Sequence, residues 1–466
     1  MESGQNNDGS VSKAPLRAAV AIGAHFVVDV FSFIGVALLP MLAVMLDIRP
    51  EQKALLLALG SVCSGIVQPI VAWASDRFDS RAFGTAGFVV AVLCIGNLGM
   101  ARDFTELAIL YSIGAMGIGA FHPPAAATVG RMGQLNGRRS MYVAVFFLAG
   151  MIGGIVGNVF TPQFVEWMTP DAVAIENGAN AKDGLLAIRW FIPVGLIAAL
   201  ILAMAIHKSG HRHHAAHAQK DSWDSNERFW RWFAVWVLYA SNVLRFTTNM
   251  ALMYLFTEWA SQYVHARHGA SSLTDQLGIE ASQVNGTLQA SMQVGMGGAG
   301  LTLGLILAAR FEKAVFVILP MLGAACIAMI PKLSAMDPEI GRWMVMGASV
   351  LSGVGFGAAI PVSMSLSQRL LPHRTSLVSG LMLGGAWSLS FLGPLGAEVV
   401  QNGLGAKPNV PGFVMWCVEL LPDSMQTGLL DGMGIDAAFM VTAVVLAIAG
   451  FVTILLPHKL IVRSAD

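Results

Sequence analysis

Twelve apolar stretches, most of them close to 20 residues long and separated by short polar turns, dominate this 466-residue chain. They lie near 17–45, 54–74, 82–101, 105–129, 140–162, 186–206, 229–257, 285–309, 314–331, 342–366, 376–400 and 434–457. About 20 residues, each rising about 1.5 Å, cross the hydrocarbon of a bilayer as a helix. With 55% hydrophobic and 12% charged residues, the chain carries more apolar surface than a soluble interior can hide. A bilayer accepts such surface when every backbone group is paired within helices or a closed barrel. The stretches are continuous and lack the ten-residue alternation of barrel strands, so helices are expected. The expected fold is an all-α membrane protein of twelve transmembrane helices, numbered here as spans 1 to 12.

Lysine and arginine set the orientation. With both termini cytoplasmic, that side holds 18 of the 28 and the outer side 9, with one inside a span. The excess of basic residues on the inner side places both ends in the cytoplasm of an inner-membrane protein. Trp167, Trp259 and Trp343 fall at outer ends, and Trp230 and Trp232 at an inner end, as interfacial anchors. Net charge is zero, so nucleic acid is not an expected partner. The four cysteines, Cys63, Cys94, Cys326 and Cys417, show no CxxC spacing, and neither a disulfide nor structural zinc is expected. The polar start MESGQNNDGSVSKAP lacks an apolar core, so no cleaved signal peptide is expected and the first span serves for targeting.

Residues 1–16 are expected to be a disordered cytoplasmic terminus and 458–466 a cytoplasmic tail. A polar linker at 207–228 divides a bundle at 17–206 from one at 229–457. Its His207, His211, His213, His214 and His217 invite a metal reading, but a solvated basic linker is the plainer one. The two halves repeat. Gly117, Gly119 and Pro123 in span 4 align with Gly355, Gly357 and Pro361 in span 10. Arg77-Phe78 aligns with Arg310-Phe311, and Arg138 and Ser140 with Arg374 and Ser376. All offsets lie between 233 and 238 residues, which implies two pseudo-symmetric six-helix bundles with a substrate site between them.

An ionisable group at mid-membrane costs at least about 2.5–3.5 kcal/mol, so such groups point to function. Two strong charges lie deep by this reading: Asp29 in span 1 and Arg245 in span 7. Their depths, roughly 18 and 21 Å from the inner ends of equivalent helices, predict that they face each other across a central cavity. His25 lies one turn from Asp29 on the same face. His122 precedes Pro123 and Pro124, which remove backbone donors and suit a cavity-lining helix. Asp29, His25 and His122 are the expected proton carriers; Arg245, His122 and Gln68 are the expected substrate contacts. For each histidine the alternative is a packed ring bonded to a carbonyl, and for Arg245 a fixed counter-ion. Asp76, Arg77 and Arg81, in the charged turn after span 2, are the expected gate. Glycines 150, 153, 154 and 157 in span 5, and 295, 297, 298 and 300 in span 8, give flat surfaces for close helix packing.

Asp76-Arg77 with Arg81 resembles the loop motif of the major facilitator superfamily, although Ala72 replaces its leading glycine. The resemblance is greatest to the fosmidomycin-resistance group. It rests on His25-Phe-Val-Val-Asp29 with Pro40, Gln68-Pro69, Phe121-His122-Pro123 and Arg245. Pro361, Gln368 to Pro372 and Ser379 to Gly384 extend it into the second half. The resemblance implies a proton-driven inner-membrane exporter of small, often anionic compounds, with Asp76 locking the cytoplasmic gate. Pro124 stands where that group commonly has Glu, and Ala309 leaves the second-half loop without its acid. The outer loop at 403–433 is long, and 412–421 is expected to form an interfacial helix. The expected partners are a small-molecule substrate, protons and the lipid bilayer, with no cofactor and a monomeric chain. Uptake by proton symport and a non-transporting receptor are the rivals. An enzyme is not expected, since no Gly-x-Ser-x-Gly, HExxH or paired carboxylates within a span occur.

Overall fold

The computed structural model describes residues 14–78, 82–135, 138–170, 182–206, 223–269, 274–405, 407, 410 and 412–464. Among these no strand occurs, and twelve helical crossings follow one another. Spans 2 to 5 run Pro50–Phe78, Ala82–Gly96, Phe104–Leu135 and Arg139–Met168. Span 6 is Asp183–Leu186 continued by Phe191–Ile206; spans 7, 8 and 9 are Ser225–His268, Asp275–Ile306 and Glu312–Ser334. Span 10 is split into Pro338–Gly357 and Ile360–Leu370, and span 12 is Gly434–Val452. Span 11 is assembled from Thr375–Gly380, a π turn Leu381–Gly385, Ala386–Leu389 and Leu392–Asn402. Span 1 begins at Ala14, so 14–16 are helical rather than disordered, while 1–13 lie outside the described residues. The linker is outside them from 207 to 222, and its last residues, Ser225 to Arg228, open span 7. The outer loop holds the expected helix at Gly412–Glu419 and a second at Asp423–Asp431.

Ten crossings are long and apolar enough to span a membrane on those grounds alone; spans 7 and 8 are not among them. Both carry buried polar residues: Ser241, Asn242, Arg245 and Asn249 in span 7, and Ser282, Asn285, Gln289 and Gln293 in span 8. Span 7 has 44 residues against the 29 expected. Asp224 caps its start by accepting from the Glu227 N–H at 2.6 Å, and Gly269, in the left-handed region at φ 58°, ends it.

An even number of crossings puts both termini at one end, and the halves are sewn together at the other, the far end. Pro40 breaks span 1, which runs Ala14–Ala37 and resumes as Leu39–Met45. Proline has no N–H, so Val36 loses the partner its carbonyl would have had four residues on. Span 8 supplies the replacement. Asn285 Nδ2 donates to Val36 O at 2.7 Å and Ala37 O at 3.3 Å, and Ser282 Oγ accepts from Met41 N at 3.0 Å. Gln283 Nε2 of span 8 also donates to Glu166 Oε2 of span 5 at 2.8 Å. Lys53 of span 2 and Glu258 of span 7 pair across the same seam, 7% and 6% exposed.

Candidate functional site

Span 1 places His25, Asp29 and Phe33 on one face at four-residue intervals, and span 5 presents Phe146, Gly150 and Gly154 to it at the same interval. A Cβ at Gly150 would land against His25 Cε1 and Asp29 Oδ2, so only glycine lets the two helices meet there. At Gly153 and Gly157 the obstacle would be the carbonyls of Phe26 and Val30. The span 5 glycines therefore allow the close packing expected of them.

In that gap His25, Asp29 and His122 come together. His25 Nε2 lies 3.4 Å from Asp29 Oδ2, and His122 Nε2 lies 3.4 Å from Asp29 Oδ1. Ser32 Oγ donates to Asp29 Oδ1 at 3.3 Å. His25 stacks on Phe146 with ring centroids 3.8 Å apart and meets His122 edge-on at 5.0 Å. The other nitrogen of each imidazole is committed: His25 Nδ1 to Phe146 O and His122 Nδ1 to Ile118 O, both at 2.7 Å. A carbonyl only accepts, so both Nδ1 atoms carry hydrogen and both neutral rings turn bare Nε2 lone pairs toward a carboxylate that also only accepts. Without an added proton three acceptors converge. One proton makes one hydrogen bond and a second makes another. Side-chain exposure rises from 3% at His25 through 8% at Asp29 to 28% at His122, so His122 is the most accessible of the three.

The three side chains each offer one ligand atom, all within 4.8 Å of one another. The histidines face different oxygens of Asp29, His25 toward Oδ2 and His122 toward Oδ1. A shared proton suits that arrangement better than a metal ion.

Arg245 is not part of this cluster, which corrects the expected opposition with Asp29. It is fully buried inside the second half, with Nη2 donating to Phe316 O at 3.0 Å and the guanidinium carbon 5.5 Å from the Phe316 ring centre. Among the described residues its Nε and Nη1 have no partner. The cause is rotation. Asn242 Nδ2 lies 3.5 Å from Met382 O between spans 7 and 11, repeating the His25 bond to Phe146 O between spans 1 and 5. The intervals, 217 residues for the donors and 236 for the acceptors, make Phe246 the counterpart of Asp29 and Val28 that of Arg245. Val28 is a fully buried core position. Counting residues along a helix does not give the direction of a side chain, and one residue turns a helix by about 100°. The 236-residue interval also pairs Gly150 with Ala386, and the 238-residue offset of spans 4 and 10 pairs His122 with Ile360. The second half thus holds an apolar cluster of Phe246, Ile360 and Ala386, with Trp387 edge-on to Phe246, where the first half holds charge.

Arg245→Met is expected to leave the unfolding midpoint in detergent unchanged or higher. One hydrogen bond to a charged group returns about 1.5–3 kcal/mol. Burying an ion costs several, and apolar replacement of buried charges is often neutral or stabilising by about 1–4 kcal/mol. A marked fall in the midpoint, beyond that of a size-matched control such as Leu238→Met, would show that the bond to Phe316 outweighs the buried charge.

Gln68 is not brought into hydrogen-bond contact with the cluster; its Cβ packs on the seam, where a Cβ at Gly384 of span 11 would lie 3.1 Å from it. The backbone of Asp76 and Arg77 lies in the last turn of span 2, their side chains are outside what is described, and Arg81 lies outside the described residues. The reading of two deep charges overlooked Lys53 and Glu258, which sit one residue beyond the apolar stretches assigned to spans 2 and 7. It also overlooked the polar face of span 8. Ser282, Asn285, Gln289 and Gln293, spaced three and four apart, are a signal visible in the sequence.

The family model described as Major Facilitator Superfamily matches residues 20–394. The Fosmidomycin resistance protein of Escherichia coli (strain K12) is 20% identical over 377 residues, covering 81% of this chain and 83% of that protein. Among solved structures, a bacterial homolog of the human lysosomal transporter Spinster, inward-facing and unoccupied, aligns with a TM-score of 0.63 at 16% identity, over 97% of this chain and 98% of its own. The E. coli fucose:proton symporter FucP aligns at 0.51 and 13% identity, over 96% and 99%. Twelve crossings in two repeated halves and a family match over most of its length make this chain a membrane transporter belonging to the Major Facilitator Superfamily.

Proposed function

We propose that the protein is a proton-coupled antiporter of the inner membrane, with both termini cytoplasmic, that exports a small anionic compound such as a phosphonate. The observation that carries this reading is the His25–Asp29–His122 cluster: three acceptor atoms that must share at least one proton, with a graded exposure that gives solvent a way in through His122. The similarity to a fosmidomycin resistance protein supports export and the anionic class. Uptake or release of the cluster's proton changes the charge presented between the halves. Rocking of the halves, with the far-end seam opening in turn, exposes the cluster to the two sides alternately. One chain contains the whole cluster and both halves, so a monomer suffices.

The test uses purified protein in proteoliposomes with fosmidomycin as the solute. An imposed pH gradient, acid on the side to which the solute moves, drives solute and proton in opposite directions, and a protonophore stops it. Transport that ignores the pH gradient would sink the coupling. Movement of both in one direction would instead establish symport through the same cluster.

A further inference from the structure

Beside the proton cluster stands a side chain that the coupling reading leaves unused. Gln293 of span 8 is 2% exposed, and among the described residues neither its Oε1 nor its Nε2 has a hydrogen-bond partner. The next polar residue on the same face, Gln289, donates from Nε2 to Met253 O at 3.1 Å and Asn285 Oδ1 at 3.2 Å. Asn285 is fixed on the carbonyls of span 1. Gln293 is the member of the stripe whose whole amide is unpaired. A buried amide in that condition bears the desolvation cost of each group left unpaired.

Its position gives that cost a purpose. A Cβ at Gly154 would meet both atoms of the Gln293 amide, with Phe33 Cε2 2.8 Å from the same point. Gly154 is one turn, about 6 Å, along span 5 from Gly150, which adjoins His25 and Asp29. Phe33 is one turn along span 1 from Asp29. Gln293 therefore reaches across the seam from the second half and lies over the glycine face of the first, one turn from the cluster toward the far end. An amide offers two donors and an acceptor with two lone pairs, and it carries no charge.

We propose that Gln293 is a substrate-binding residue that reads a neutral hydrogen-bonding group, an amide, hydroxyl or carbonyl, carried about one helical turn from the substrate's anionic end. This rests on the reading of the cluster as the proton-coupling site of an anion exporter, and it adds that the substrate's anionic end lies against the protonated cluster. It also supplies what the cluster lacks: a contact from the second half, so that a molecule bound to both ends spans the two halves. A site built to hydrogen-bond such a group discriminates strongly against a molecule without it, because its own buried polar atoms are then left unpaired.

The test measures binding of two probes, 3-formamidopropylphosphonate and propylphosphonate, to the full chain in nanodiscs by calorimetry. Wild type is expected to bind the formamide probe at least tenfold more tightly. In Gln293→Leu the two affinities should converge to within about twofold, with that for propylphosphonate retained. If Gln293→Leu does not fold, Gly154→Ala reads the same contact from the opposite wall, because its methyl group displaces the amide. A preference that survives the substitution, or a wild type that shows none or binds neither probe, would overturn the assignment. His122→Ala separates the two readings. It should weaken both probes alike and leave their ratio intact. Unchanged binding in His122→Ala with a lost preference in Gln293→Leu would overturn the anion end and leave Gln293 standing.

Discussion

Asp29→Asn is expected to abolish proton-driven accumulation of solute in proteoliposomes while leaving solute-for-solute exchange in place. An asparagine at this position copies the shape of the carboxyl group and can donate from Nδ2 to a bare imidazole nitrogen. It thereby reproduces the hydrogen bonding of the cluster with one proton bound, since both Nδ1 atoms are occupied by carbonyls. The carboxylate that holds the exchangeable proton is then gone: the halves can rock around the solute, but the coupled proton is not carried. Moving one charge is worth about 2.3 kcal/mol per 100 mV, equivalent to an accumulation ratio of about 50-fold. That ratio should collapse to about 1 in the variant. Counterflow of labelled against unlabelled solute at equal pH provides the control that the protein is folded and mobile. Gradient-driven accumulation at the wild-type level in Asp29→Asn would remove Asp29 from the coupling.

How much of this was legible in the sequence depends on the kind of signal. Crossings announce themselves by length and apolarity, and ten of the twelve do so unaided. Spans 7 and 8 were still readable because 229–257 and 285–309 are apolar stretches despite their polar residues. His25 and Asp29 were placed correctly together because an interval of four residues fixes depth and direction at once. His122 lies on another helix, where spacing along the chain does not tell that it meets Asp29. Arg245 shows where this kind of reasoning stops. Across two helices the rotation of each about its own axis decides what meets, and the repeat motifs align spans 4 and 10 without fixing spans 1 and 7 to the residue. The seam was illegible for another reason. The polar stripe of span 8 looks like a defect in an apolar run until Pro40, nearly 250 positions earlier, is seen to leave a carbonyl that Asn285 fills.

Glu258→Ala is expected to open the far end. Lys53 and Glu258 are both nearly buried, and they pair between span 2 and span 7, hence between the halves. Removing one partner of a buried ion pair costs about 3–5 kcal/mol, because the remaining charge stays desolvated without compensation. Opening the seam lets water reach the Lys53 ammonium, so the cost falls on the closed state and the equilibrium shifts toward the open one by about 10²–10⁴-fold. Nitroxide labels at Arg49 and Gln262, both exposed at the far end, can follow this by pulsed dipolar spectroscopy on a background without the native cysteines. The short-distance population of the wild type should give way to a longer one. The double variant Lys53→Met, Glu258→Leu should recover closure, since an apolar pair of similar volume often replaces a buried ion pair without loss. The stitch from Asn285 and Ser282 to the broken first span is untouched in both variants. If it alone holds the seam, Glu258→Ala will leave the distance distribution as it was, and the ion pair will have no part in closing the far end.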